Sequence, residues 1–155
     1  MKNTVNITII GFGEVGSIFA RDFLARGDTK VSTYDIKFAS PTLGPPLLEK
    51  ARAMGVTPGE SHADACASAN IVISAVTADA VMAVAEQAAT YLKKDQIFFD
   101  INSAAPGTKT KAAQLVNACG ARYVEGAVMA PVPGPNSTTR FASPASPKSK
   151  PTPAA

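Results

Sequence analysis

The stretch Val5–Phe19, VNITIIGFGEVGSIF, constrains the fold more than any other. A short β-branched run, Val5–Ile10, stops abruptly at Gly11, and from Val15 the apolar spacing changes. Val15, Phe19 and Phe23, with Ile18 beside them, recur at helical intervals, and Gly27 follows as a stop. Between strand and helix stand Gly11, Gly13 and Gly16, a G-x-G-x-x-G pattern. Gly11 suits a tight turn, Gly13 leaves backbone open to an approaching pyrophosphate, and Gly16 lets the helix pack close to the strand. A helix that starts there offers unpaired N–H groups and a partial positive charge to an anion. Asp35 ends a second strand signal, KVSTYD, about twenty residues on, where an acceptor for a ribose 2′-hydroxyl belongs. The pattern in this context points to dinucleotide binding. A carboxylate at Asp35 repels a 2′-phosphate and favours NAD, with NADP possible. Lys37, read as a solvated loop lysine, would soften that preference.

The rest of the chain keeps alternating. PPLLEKARAMG has prolines fit for a first helical turn and a glycine where a helix ends. Gly55-Val56-Thr57 reads as a minimal third strand and IVISAV (Ile71–Val76) as a fully apolar one. Thr77 is placed to cap the helix ADAVMAVAEQAATYL. QIFFD is a further strand, Pro106 opens a helix that closes at Gly120, and RYVEGAV makes the last strand. Apolar strands separated by amphipathic helices predict an α/β fold, Rossmann-type and doubly wound: a mainly parallel sheet with helices on both faces. Ser61 or His62 begins a short helix, and nothing near His62 in the sequence gives its imidazole a catalytic role.

Composition excludes several classes. The chain has 155 residues, 46% of them hydrophobic, enough for one core. Its net charge of +3 comes from the tail, where Arg140, Lys148 and Lys150 have no acidic counterpart after Glu125. No nucleic-acid partner is expected from so local an excess. Cys66 and Cys119 lack metal or C-x-x-C spacing and read as reduced packing residues; no metal site is expected. Neither a signal-peptide pattern nor a membrane-spanning apolar run is present in the sequence, so a soluble, cytoplasmic protein with no membrane partner is the expectation.

GFGEVGSIFARDFLARG, ISAVTADAV, FFDINSAAPGTK and YVEGAVMAPV together resemble the NAD-binding half of the β-hydroxyacid dehydrogenases, which include hydroxyisobutyrate and phosphogluconate dehydrogenases. The resemblance covers about residues 5–133, in the family's order. It implies an NAD(P)-dependent oxidoreductase that moves a hydride between the nicotinamide and a small β-hydroxyacid. By that resemblance the cofactor contacts come from Gly11, Phe12, Gly13, Glu14, Val15, Gly16, Asp35, Ala75, Val76, Thr77 and Asn102. The family's Asp-x-Ser-Thr segment appears as Asp100-Ile101-Asn102-Ser103, which makes Asn102 and Ser103 the substrate contacts. A plainer role for that pair is to cap the helix at Pro106. The family's next segment, Asp-Ala-Pro-Val-Ser-Gly-Gly, appears as Glu125-Gly126-Ala127-Val128-Met129-Ala130-Pro131. Its loss of serine and glycines favours a less characterised branch.

In the family, an all-α second domain supplies a catalytic lysine and most of the dimer interface. Here the pattern breaks off near Pro135, which sets the expected domain at 1–135. Residues 136–155, with four prolines and four serines, read as a disordered tail that resembles a shifted frame or a truncated end. No catalytic residue is identified, the dimer interface is mostly missing, and turnover by this chain alone is expected to be absent. Two other readings stand beside the dehydrogenase: an inactive nucleotide-binding module, and another Rossmann reductase of the imine or pyrroline-carboxylate type.

Overall fold

The computed structural model describes residues 3–126. The expected tail, and the segment from Ala127 to Pro131, lie outside the described residues.

Six strands form one sheet, every pair parallel, in the order β3-β2-β1-β4-β5-β6. They are β1 (Val5–Ile10), β2 (Thr29–Tyr34), β3 (Thr57–Pro58), β4 (Ile71–Ser74), β5 (Ile97–Asp100) and β6 (Arg122–Glu125). The helices between them are α1 (Glu14–Leu24), α2 (Gly44–Met54), α3 (His62–Cys66), α4 (Val81–Tyr91) and α5 (Pro106–Ala118). Single 3-10 turns occupy Ile36–Ala39 and Ala78–Ala80. Local chemistry sets the limits of these elements. The prolines of α2 sit in its first turn, where a missing N–H costs nothing, and Gly55 ends it at φ +85°.

Side chains alternate along each strand, so the sheet feeds two cores. Ile7, Ile9, Val31 and Ile73 pack with Phe12, Phe19, Ala20 and Ala51 on the α1–α2 side. Ile10, Val72 and Phe98 pack with Val84, Ala85, Ala88, Ala112 and Val116 on the α4–α5 side. Polar groups inside are paired: Thr8 donates to the Ala65 carbonyl, Thr33 to that of Ile9, and the Gln96 amide to those of Cys66 and Ala69. Cys66 is buried among apolar groups and Cys119 is half-buried; both are free thiols.

Three expectations need adjusting. The minimal third strand is Thr57–Pro58, beginning two residues later than expected, while Val56 drops into the core. Thr77 makes no side-chain cap to the helix that follows; its hydroxyl turns to the Asp79 carboxylate and holds it below the usual carboxylate range. Ala105, not Asn102 or Ser103, takes the cap position of α5, so the capping role for that pair is excluded. No helix among the described residues is long and apolar enough to cross a membrane.

Candidate functional site

The registers bring four strand ends to one edge, with Ile10 beside Tyr34 and Ser74, and Ser74 beside Asp100. Each ladder continues one residue further: Gly11 N–H donates to Tyr34, Ala75 to Ile10, Ile101 to Ser74 and Gly126 to Asp100. Strand order reverses between β1 and β4, and the loops leaving them diverge to opposite faces of the sheet. Such a switch point opens a crevice at the carboxyl ends of the strands. A cleft of about 760 Å³ lies there.

The glycine loop forms its floor. Gly11 has φ +95°, and a Cβ on it would overlap the Ala75 carbonyl; one on Gly16 would overlap the Gly11 carbonyl. These two glycines therefore hold the β1–α1 corner against β4 and against itself. Gly13 differs. It has an ordinary extended backbone, and a Cβ there would meet nothing within 4 Å, because it would project into the open cleft. The first-turn N–H groups of α1, which have no partner within the helix, open onto the same floor beside Glu14, Val15 and Gly16. Space before Gly13 and a helix N-terminus behind it suit a pyrophosphate.

Asp35 stands just past β2. One carboxylate oxygen accepts the N–H of Phe12 and the other that of Lys37, each at 2.8 Å. The glycine loop and the acid are thereby locked together, and Asp35 lines the cleft. The carboxylate lies among Tyr34, Ile36, Lys37 and His62, which line this end with it. Phe12 is the one expected cofactor residue that does not line the cleft. Its ring is fully buried with Phe19 in the α1–α2 core, under the Lys50 ammonium, and only its N–H serves the site.

Ala75, Val76, Thr77, Asn102 and Ser103 line the opposite end. Asn102 is 6% exposed and its side chain is committed to the protein. Its carbonyl accepts the Val76 N–H at 2.7 Å, and its amide donates to Ser74 Oγ and Asp100 Oδ1. It thus ties the tip of β4 to that of β5, whereas Ser103 is exposed with no such ties. Beneath them lies a buried polar group that sequence reasoning missed. Asp100, 1% exposed, also accepts from its neighbour's N–H at Asn102 and from the Tyr123 hydroxyl at 2.6 Å. Lys109 Nζ is 4.0 Å from Asp100 and 3.5 Å from Glu125. Burial, with the hydrogen bond and charge of Asp100, pushes the Tyr123 hydroxyl well above the usual tyrosine range. Asp100, Lys109, Tyr123 and Glu125 all lie in the two segments that carry the resemblance, FFDINSAAPGTK and YVEGAVMAPV, but nothing in their spacing shows that the side chains meet.

His62 begins α3 as expected, but nothing in the sequence marked it as lining the cleft. Ser61 caps α3 by accepting the Asp64 N–H, as expected, while Asp64 accepts the Glu60 N–H in return. That cap turns the imidazole into the cleft.

The chain matches the family described as the NAD binding domain of 6-phosphogluconate dehydrogenase over residues 6–142. A search among curated proteins returns no match. Among solved structures, a conserved hypothetical protein from Sinorhizobium meliloti 1021 is 36% identical with a TM-score of 0.79, over 83% of this chain and 43% of that one. Mycobacterium tuberculosis 3-hydroxyisobutyrate dehydrogenase shares the fold at 20% identity and TM-score 0.71, over 82% and 41%. An imine reductase from Bacillus cereus does so at 23% and 0.69, over 81% and 41%. This chain therefore spans less than half the length of these proteins. It belongs to the family of the 6-phosphogluconate dehydrogenase NAD-binding domain, the nicotinamide-dinucleotide module of oxidoreductases.

Proposed function

We propose that this domain serves an oxidoreductase acting on a small β-hydroxyacid and that it takes NAD in preference to NADP. The observation that carries the cofactor preference is the Asp35 carboxylate, held by two backbone N–H groups at the mouth of β2. In that posture it accepts hydrogen bonds from the adenosine ribose hydroxyls and opposes the charge of a 2′-phosphate. Gly13 and the first turn of α1 receive the pyrophosphate, and Ala75–Thr77 flank the path toward the nicotinamide. When bound, the cofactor supplies or accepts the hydride.

The hydroxyacid reading rests on resemblance in the Asp100–Ser103 segment, with Ser103 the free hydroxyl at that end and Asn102 holding the wall behind it. Neither residue is a base at neutral pH. The proton of the substrate hydroxyl then falls to a group outside this domain, such as the lysine of the family's second domain. General-base assistance contributes about 10²–10⁴-fold, and holding the substrate against the nicotinamide can contribute roughly 7–11 kcal/mol. The chain by itself is accordingly expected to bind cofactor without measurable turnover.

Calorimetric titration of the chain with NAD and NADP tests the preference; equal or reversed affinity defeats it. NADH formation across a panel of small hydroxyacids, with NADPH consumption on cyclic imines as the comparison, tests the substrate class in a protein that carries a complementary α-helical domain. Imine turnover alone would replace the hydroxyacid reading.

A further inference from the structure

The adenosine end of the cleft contains one titratable group for which the contacts above have no use. His62 is the only histidine in the sequence. Its ring lies 4.5 Å from that of Tyr34, tilted by 57°, and stacks on that of Tyr91 at 6.3 Å. It lines the same end of the cleft as Asp35, Ile36 and Lys37. From the end of β2 it faces Tyr34 and the negative charge of Asp35, while the exposed Lys37 lines the same end of the cleft. From α4 it faces the phenol of Tyr91 and the neutral Gln87. On α3 itself, the Asp64 carboxylate is turned back to the Glu60 N–H, and the Cys66 thiol is directed at the Tyr91 hydroxyl.

We propose that His62 is a proton-controlled specificity residue for the adenosine ribose. Uncharged, it completes an aromatic wall and leaves Asp35 to select the free 2′-hydroxyl of NAD; protonated, it adds a second cation to the end that Lys37 also lines and admits the 2′-phosphate of NADP. The inference rests on the assignment of Asp35 to the ribose. With the imidazole neutral, Asp35 and Lys37 cancel, and an incoming phosphate meets no net positive charge. With it protonated, the same end carries one excess positive charge.

Burial lowers the imidazole's pKa, against a smaller upward pull from Asp35, so the ring is neutral at pH 7 and gains its proton below the ordinary histidine range. Because linkage is reciprocal, a phosphate that binds the imidazolium better must raise that pKa by the same free energy. The phosphate's own proton uptake near pH 6 acts in the opposite sense, since it removes charge from the ligand as the pH falls. The imidazole is therefore separable from the ligand by the direction of the pH dependence.

A single histidine makes the test direct. The Cε1–H resonance is titrated by NMR in the free chain, with saturating NAD and with saturating NADP. The expected result is a higher imidazole pKa with NADP than with NAD, by about one unit, which corresponds to roughly tenfold in relative affinity. By calorimetry, the NADP-to-NAD affinity ratio of the natural chain should rise relative to that of His62→Gln as the pH falls from about 7 to about 5, the range in which the lowered imidazole gains its proton. An identical imidazole pKa with the two cofactors overturns the proposal, as does an unchanged pH profile in His62→Gln. If the natural chain binds neither cofactor, or prefers NADP at every pH, it is the assignment of the cleft and of Asp35 that fails.

Discussion

The two ends of the cleft use polar side chains in opposite ways. At the end proposed for adenosine, Asp35 is fixed by backbone N–H groups and lines the cleft. At the other end, Asp100 and Asn102 spend their hydrogen bonds on each other, Ser74, Val76 and Tyr123, and Ser103 alone remains exposed. The first end, in the proposed function, reads a ligand, while the second holds two strand tips together. The difference follows from burial. Asp35 stands beyond the last residue of β2, while Asp100 is the last residue of β5 and covered from above, so its charge must be satisfied within the protein.

Replacing Gly13 with valine should break the reading end most completely. Its Cβ meets no protein atom and points into the space before the α1 N-terminus, so cofactor binding should vanish with only the small loss of melting temperature that valine costs at an N-cap. Gly16→Val provides the contrast, since its Cβ meets the Gly11 carbonyl and the fold itself should suffer. Calorimetry paired with thermal unfolding separates the two.

Asp100→Ala attacks the holding end. It leaves the nearly buried Lys109 with only the exposed Glu125, and strips the Tyr123 hydroxyl and the Asn102 amide of an acceptor. Removal of one partner from a buried charged group costs about 3–5 kcal/mol, and chemical denaturation should show a loss of that order. A loss below 1 kcal/mol would mean that the network behaves like a surface ion pair, and would erase the contrast between the two ends.

Asp35→Ser should have a smaller and more selective effect. NAD affinity should fall and the preference over NADP shrink by about tenfold, equivalent to roughly 1.4 kcal/mol, with a stability loss of about 1 kcal/mol from the weakened hold on the Phe12 and Lys37 N–H groups. A variant that binds both cofactors as before would remove Asp35 from the reading end.

The smallest effect concerns alkaline pH. Burial pushes the Cys66 thiol up to about 12, and the Tyr91 and Tyr123 hydroxyls are raised as well. Above the ordinary cysteine and tyrosine ranges the unfolded chain releases protons that the folded chain keeps, so stability should decline as pH rises from about 8.5 through 10. Tyr123→Phe should flatten the upper part of that decline, in melting curves taken from pH 8 to 11, if the hydroxyl is held as the structure indicates.

The sequence by itself determined the sheet, the glycine corner and the place of Asp35. Each depends on signals a few residues long: β-branched runs, helical spacing, glycines where backbone must turn or be approached, and an acid at a strand end. These are local properties, and they remain legible because no distant residue can substitute for them. Only the tertiary structure decided the rest. Phe12 left the cleft because an aromatic ring one residue from the turn gains more in the α1–α2 core than at the surface. Asn102, which lines the cleft, is also a tie between strand tips, because β4 and β5 place Ser74, Val76 and Asp100 around it. His62, Tyr34 and Tyr91 meet from three elements that no spacing rule connects. Parallel strands joined by long crossovers bring together groups distant in sequence, so which polar side chain faces a ligand and which is consumed inside is fixed only when the sheet closes.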